Sequence, residues 1–142
     1  MLLTPHSPFN CLKTLELQHL PLDQTSLDGV LSSSLDLEWL TLDECELPRT
    51  LRVSSARLRG LRFYHCLGTS CIELNAAQLQ AFEFSGWVLK LSFLLLPPLE
   101  RVHLGLRNPY AAVAFFDILA EIRPKLQILS LNWFNFKANV SM

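Results

Sequence analysis

The chain has 142 residues, which fits one domain with one core. Its 12 Lys and Arg offset 13 Asp and Glu for a net charge of -1, which argues against a clustered basic grip on nucleic acid and against a charged working tail. Half the residues are hydrophobic, 18% are charged and only 5 are glycine, so disorder and glycine-rich phosphate loops are both disfavoured.

Leucine is the unusual residue, with 32 copies. Residues 1–11, beginning MLLTPHSPFN, carry no basic start and no long apolar run, so they read as a leader or edge and not as a secretory signal. From Leu12 a pattern LxxLxLxxCxL recurs. Its first copy is Leu12, Leu15, Leu17, Leu20 and Leu22, which predicts a strand over Thr14–Gln18. Ser26 to Ser34 then predicts one or two helical turns, with Leu27, Val30 and Leu31 inward. The complete copy follows at Leu37, Leu40, Leu42, Cys45 and Leu47, with its strand over Trp39–Asp43. Leu58, Leu61, Phe63, Cys66 and Gly68 give a strand over Gly60–Tyr64, and Leu79, Phe82, Phe84 and Trp87 give one over Ala81–Ser85. The apolar run Trp87 to Leu99 contains Lys90 and two prolines and falls short of the about 20 residues of a membrane span, so it reads as a buried strand entering a turn.

Leu99, Val102 and Leu104 start the fifth copy, with a strand over Arg101–Gly105. Ala111 to Ile122 predicts a helix whose apolar face is Val113, Phe116, Ile118, Leu119 and Ile122, opened by Asn108-Pro109 and stopped by Pro124. Leu126, Leu129, Leu131, Phe134 and Phe136 close the series, with a strand over Ile128–Asn132 and a tail from 137 to 142. Starts at 12, 37, 58, 79, 99 and 126 are 20 to 27 residues apart, the spacing of leucine-rich repeats. The LxL leucines face the interior from a strand, and parallel stacking gives them one continuous core. Leu51-Arg52-Val53, Ile72-Glu73-Leu74 and Leu89 to Phe93 alternate as strands do, which predicts a second, convex set of short strands. The expected fold is therefore an α/β leucine-rich-repeat solenoid, an open horseshoe-like arc over residues 12–136. A β-sandwich of short strands is the competing architecture.

Cys11, Cys45, Cys66 and Cys71 have no CxxC and no histidine pair at zinc spacing, and a disulfide framework needs a secreted context. Cys45 and Cys66 occupy the bend after a strand, where a small buried thiol fits. His6, His19, His65 and His103 form no catalytic pairing, and no GxSxG motif occurs, so no enzyme, cofactor or metal site is expected. Asp43, Glu44 and Glu46 read as a solvated rim. Trp87 and Trp133 follow their strands and read as core or edge packing. The outward residues of the strands form columns, from which Trp39, Thr41, Asp43, Arg62, Tyr64, His65, Arg101 and His103 are the expected partner contacts on the concave face.

The segments LEWLTLDECEL, LRVSSARLRGLRF, IELNAAQLQAFEFSG and KLSFLLLPPLERVHL resemble the irregular leucine-rich repeats of plant F-box proteins. In that family a strand like Leu51–Ser55 or Ile72–Ala76 precedes each LxxLxF unit. The resemblance covers about residues 10–136. It implies the target-recognition arm of a cullin-based ubiquitin ligase, cytoplasmic or nuclear, with no membrane or nucleic-acid partner. The F-box that binds a Skp-type adaptor is not matched here, because the first repeat starts by Leu12. Ligase recruitment then requires an F-box supplied upstream. The other expectation is a truncated structural fragment without independent activity.

Overall fold

The computed structural model describes residues 11–87, 90–107, 120, 125–133 and 138–141. Ten strands and one helix are assigned in them: β1 Thr14–Gln18, α1 Gln24–Ser33, β2 Trp39–Asp43, β3 Thr50–Ser54, β4 Gly60–Tyr64, β5 Cys71–Asn75, β6 Ala81–Gly86, β7 Lys90–Phe93, β8 Arg101–Leu106, β9 Ile128–Trp133 and β10 Ala138–Ser141. The chain alternates between two sheets. The larger runs β1-β2-β4-β6-β8-β9-β10, and the smaller runs β3-β5-β7. Every pairing is parallel except that of β10 with β9.

Parallel pairing follows from the sequence pattern. Each repeat returns the chain to the same starting point, so equivalent leucines come into register. Leu15, Leu40, Leu61, Phe82, Val102 and Leu129 form one ladder, and Leu17, Leu42, Phe63, Phe84, Leu104 and Leu131 the next. All but Leu15 and Leu17, which are half-buried on β1, are buried. Leu51, Val53, Ile72, Leu74 and Leu91 of the smaller sheet join the same core. The competing β-sandwich of short strands is thereby set aside for β1 to β9: each strand pairs in parallel with its counterpart one repeat later.

The bend after the strand holds the two thiols as expected. Cys45 Sγ donates to Leu17 O at 3.4 Å, and Cys66 Sγ donates to Leu42 O at 3.4 Å. Each thiol thus reaches a carbonyl near the end of the preceding strand, which ties successive repeats together at the bend. Burial pushes the Cys66 thiol up to about 11. Leu20 and Trp87 stand at the same repeat position and are 43% and 55% exposed. Of the two places expected for Trp87, core or edge, its exposure excludes the core.

Helix α1 starts where Asp23 caps it, its side chain accepting from Ser26 N at 2.7 Å. That amide bond lowers the Asp23 carboxyl pKa. Leu27 and Val30 are buried and Leu31 is half-buried against the core, so the predicted inward face holds. Gln24, in the first turn, reaches the edge of β3. Its Nε2 donates to Arg52 O at 2.7 Å, and Arg52 N donates to its Oε1 at 2.8 Å. One side-chain amide therefore substitutes for a neighbouring strand and closes a strand edge that would invite foreign pairing.

The helix expected over Ala111–Ile122 lies outside the described residues, Ala120 excepted, as do Asn108, Pro109, Phe134 and Phe136. Ala138–Ser141, read from the sequence as part of a tail, is a strand. No helix among the described residues is long and apolar enough to cross a membrane.

Candidate protein-binding face

The in-register ladders put the outward side chains of the larger sheet into three columns. The middle column is Glu16, Thr41, Arg62, Glu83, His103 and Ser130, and one flank is Gln18, Asp43, Tyr64, Ser85, Gly105 and Asn132. The other flank begins Thr14, Trp39, Gly60, Ala81 and ends at Arg101 and Ile128.

Three of the expected contacts meet in one cluster. Gly60 lies opposite Trp39, and a Cβ on Gly60 would sit 2.0 Å from Trp39 Cε3. The indole therefore rests on the neighbouring strand, in space only glycine leaves open. Arg62, two residues along that strand, brings its Cζ to 4.8 Å from the Trp39 ring centroid, a cation–π contact. Arg62 Nε lies 3.7 Å from Glu83 Oε1. That distance is an electrostatic contact and not a hydrogen bond, and the buried Nε makes no hydrogen bond to the described residues. Tyr64 Oη donates to Glu83 Oε2. Burial first, and then this bond, push the Tyr64 phenol up to about 12. Trp39, Arg62, Glu83 and Tyr64 thus hold one another across three strands.

A family model for the leucine-rich-repeat domain of At1g61320/AtMIF1 matches residues 2–142. The chain belongs to this leucine-rich-repeat family. No curated protein and no solved structure matches it. The parallel sheets and the helix described above are thus those of a leucine-rich-repeat domain.

The remaining expected contacts of this leucine-rich-repeat domain separate. Thr41 is only 8% exposed. Its short side chain lies between Glu16 and Arg62 in the middle column, so longer neighbours cover it, and its place among exposed contacts is corrected. Asp43 is half-buried beside Tyr64. Arg101 is exposed but stands three strand spacings from Trp39, about 14 Å away. His103 is half-buried next to Glu83.

His65 leaves the face altogether, a second correction. Its φ is 53°, and His19 and Glu44 at the same repeat position have 55° and 52°. This left-handed backbone turns the chain off the sheet and puts the three residues on a rim. There His19 Nδ1 lies 3.1 Å from Glu44 Oε2, so the acidic rim is partly paired. His65, Glu46 and Arg107 line the same open cavity of about 640 Å³. Among the described residues no group of three or more His, Cys, Asp or Glu is arranged to hold a metal ion.

One member of the cluster, Glu83, and the glycine that makes room for Trp39, Gly60, were not among the expected contacts. Glu83 stands in the middle column between Arg62 and His103, and Gly60 stands opposite Trp39. Column alignment carried both signals: an acid placed beside an arginine, and a glycine placed beside a tryptophan.

The Tyr64–Glu83 bond has a direct test. In a Tyr110→Phe background, absorbance titration is expected to give a Tyr64 midpoint of about 12 instead of 10.0, and Glu83→Gln is expected to bring it down. The folded pKa lies above the ordinary value. The bond's contribution to stability is therefore complete below pH 10.0 and lost as pH rises through about 12. A midpoint unmoved by Glu83→Gln would show that the phenol does not bond to Glu83.

Proposed function

We propose that this chain is a protein-recognition module that performs no chemistry and binds its target on the outward face of the larger sheet. The observation that carries this reading is the Trp39–Arg62–Glu83–Tyr64 cluster. Tryptophan, tyrosine and arginine are the residue types that dominate binding energy at protein interfaces. Here they are grouped and held by one another, so little side-chain entropy is lost when a partner covers them. The repeats coil into an open arc with this sheet on its inner, concave side, as regular register between successive rungs supports.

The resemblance to plant F-box proteins extends the proposal. This domain is the target-recognition arm of a cytoplasmic or nuclear ubiquitin-ligase receptor. A Skp-type adaptor joins only when an F-box is supplied upstream. Neither nucleic acid nor a membrane is a partner.

Proximity labelling in the native cell identifies the partner, and purified partner and chain then give the affinity. Arg62→Ala and Trp39→Ala are each expected to weaken binding about tenfold to thirtyfold. Arg52→Ala, on the outward face of the smaller sheet, is expected to leave it unchanged. Equal losses at Arg52 and Arg62 would sink the assignment of the face.

A further inference from the structure

The cluster borders a gap in the sheet surface. Along the flank column, Tyr64 and Asn132 are full-sized, but Ser85 and Gly105 between them are small. The result is a recess of about 180 Å³ with Glu83, His103 and Ser130 along its side. Small-molecule sites run to about 300–1,000 Å³, so this space suits one side chain and not a cofactor.

We propose that this recess receives a lysine or arginine side chain of the protein partner, so that the face selects a basic segment. The inference rests on the recognition reading above. Charge decides the sign. Glu83 is the only formally charged carboxylate or cation in the recess wall among the described residues. Its nearest cation, Arg62, lies outside the lining: it rests on the Trp39 ring and holds its Nε 3.7 Å from Glu83 Oε1, too far for a hydrogen bond, so no acceptor position of the carboxylate is used up. A carboxylate offers about four acceptor positions, and Glu83 takes one proton donor from Tyr64, which leaves capacity for an incoming N–H. Ser85, Ser130 and Asn132 add neutral oxygen acceptors around it. Asp43, next to Tyr64 in the same column, adds a second negative charge nearby. An anionic side chain would meet the Glu83 carboxylate inside the recess, while the one arginine near it, Arg62, stays outside the wall. An apolar one would bury these acceptors without donors, a loss the site cannot recover.

The test needs no partner. The full chain, ¹⁵N-labelled, is titrated with n-butylammonium and ethylguanidinium as side-chain probes, and with butyrate as the anionic counterpart. The cations are expected to give saturable shifts at the amides of Ser85, Gly105 and Ser130, and butyrate none. Glu83→Gln is expected to weaken the cations about tenfold, the loss of one charge-assisted hydrogen bond. Ser85→Leu keeps the charge and fills the space, and is expected to abolish the shifts. Equal response to butyrate, or cation shifts that do not saturate at these residues, would overturn the recess. So would partner binding that needs Trp39 and Arg62 yet ignores both Glu83→Gln and Ser85→Leu. If cations fill the recess but partner binding ignores Trp39 and Arg62, the recognition reading falls, and with it the assignment to a partner's side chain.

Discussion

Phe63→Ala is expected to cost about 3–5 kcal/mol of stability and to lower Tm by about 10 °C or more. Phe63 is fully buried in the middle of the core. Its ring centroid lies 6.2 Å from that of Phe82 and 6.0 Å from that of Phe84, both tilted. Such tilted pairs add to the simple burial of area. The cost is set near the upper end because the site cannot collapse. Strand β4 is held in register by β2 on one side and β6 on the other, so its backbone cannot move into the cavity. Since whole-domain stability is typically about 5–15 kcal/mol, one such loss is a large share of it. Urea melts of the two forms measure the difference. A loss below about 1 kcal/mol would mean that the parallel ladder does not fix this core.

Gly60→Ala is expected to reduce partner affinity about a hundredfold, more than Arg62→Ala alone, while changing stability by less than about 1 kcal/mol. The backbone at Gly60 is not in the left-handed region, so alanine fits its conformation. The new Cβ meets the Trp39 ring at 2.0 Å, and the ring must swing away. Arg62 then loses the aromatic surface on which its guanidinium rests. One methyl group, itself touching no partner, thereby disorders two anchors. Lost ring packing and the gain from replacing a strand glycine offset each other in stability. Binding and urea melts on the same protein separate the two effects. Unchanged affinity would show that the posture of Trp39 is irrelevant to recognition.

The main ladder was legible in the sequence because one spacing encodes both strand and core. Thr14–Gln18, Trp39–Asp43 and Gly60–Tyr64 were read with the observed bounds, and β6, β8 and β9 each run one residue further. The smaller sheet was legible from alternation alone, since Leu51 and Val53 pair in register with Ile72 and Leu74. Columns of outward residues followed from the ladder, and the structure preserves them. What period two does not encode is side-chain reach. Thr41 alternates correctly and is nonetheless covered by longer neighbours. His65 departs because left-handed backbone breaks the alternation at the strand end, a change of φ that histidine rarely announces. Gln24 closing the edge of β3 was illegible as well. It depends on a contact across 28 residues that no local pattern carries.

Partner affinity measured on variants of each sheet decides which of the two is the binding surface. With the partner identified in the cell, its Kd is measured for the native chain, for the combined Trp39→Ala and Arg62→Ala chain, and for Arg52→Ala, with folding verified for each. Arg52 lies on the smaller sheet and is paired with Glu73 at 3.0 Å, so it is a matched charged control. A loss of about a hundredfold or more is expected for the double variant and none for Arg52→Ala. A folded double variant that binds as tightly as the native chain would show that the partner does not dock on the larger sheet.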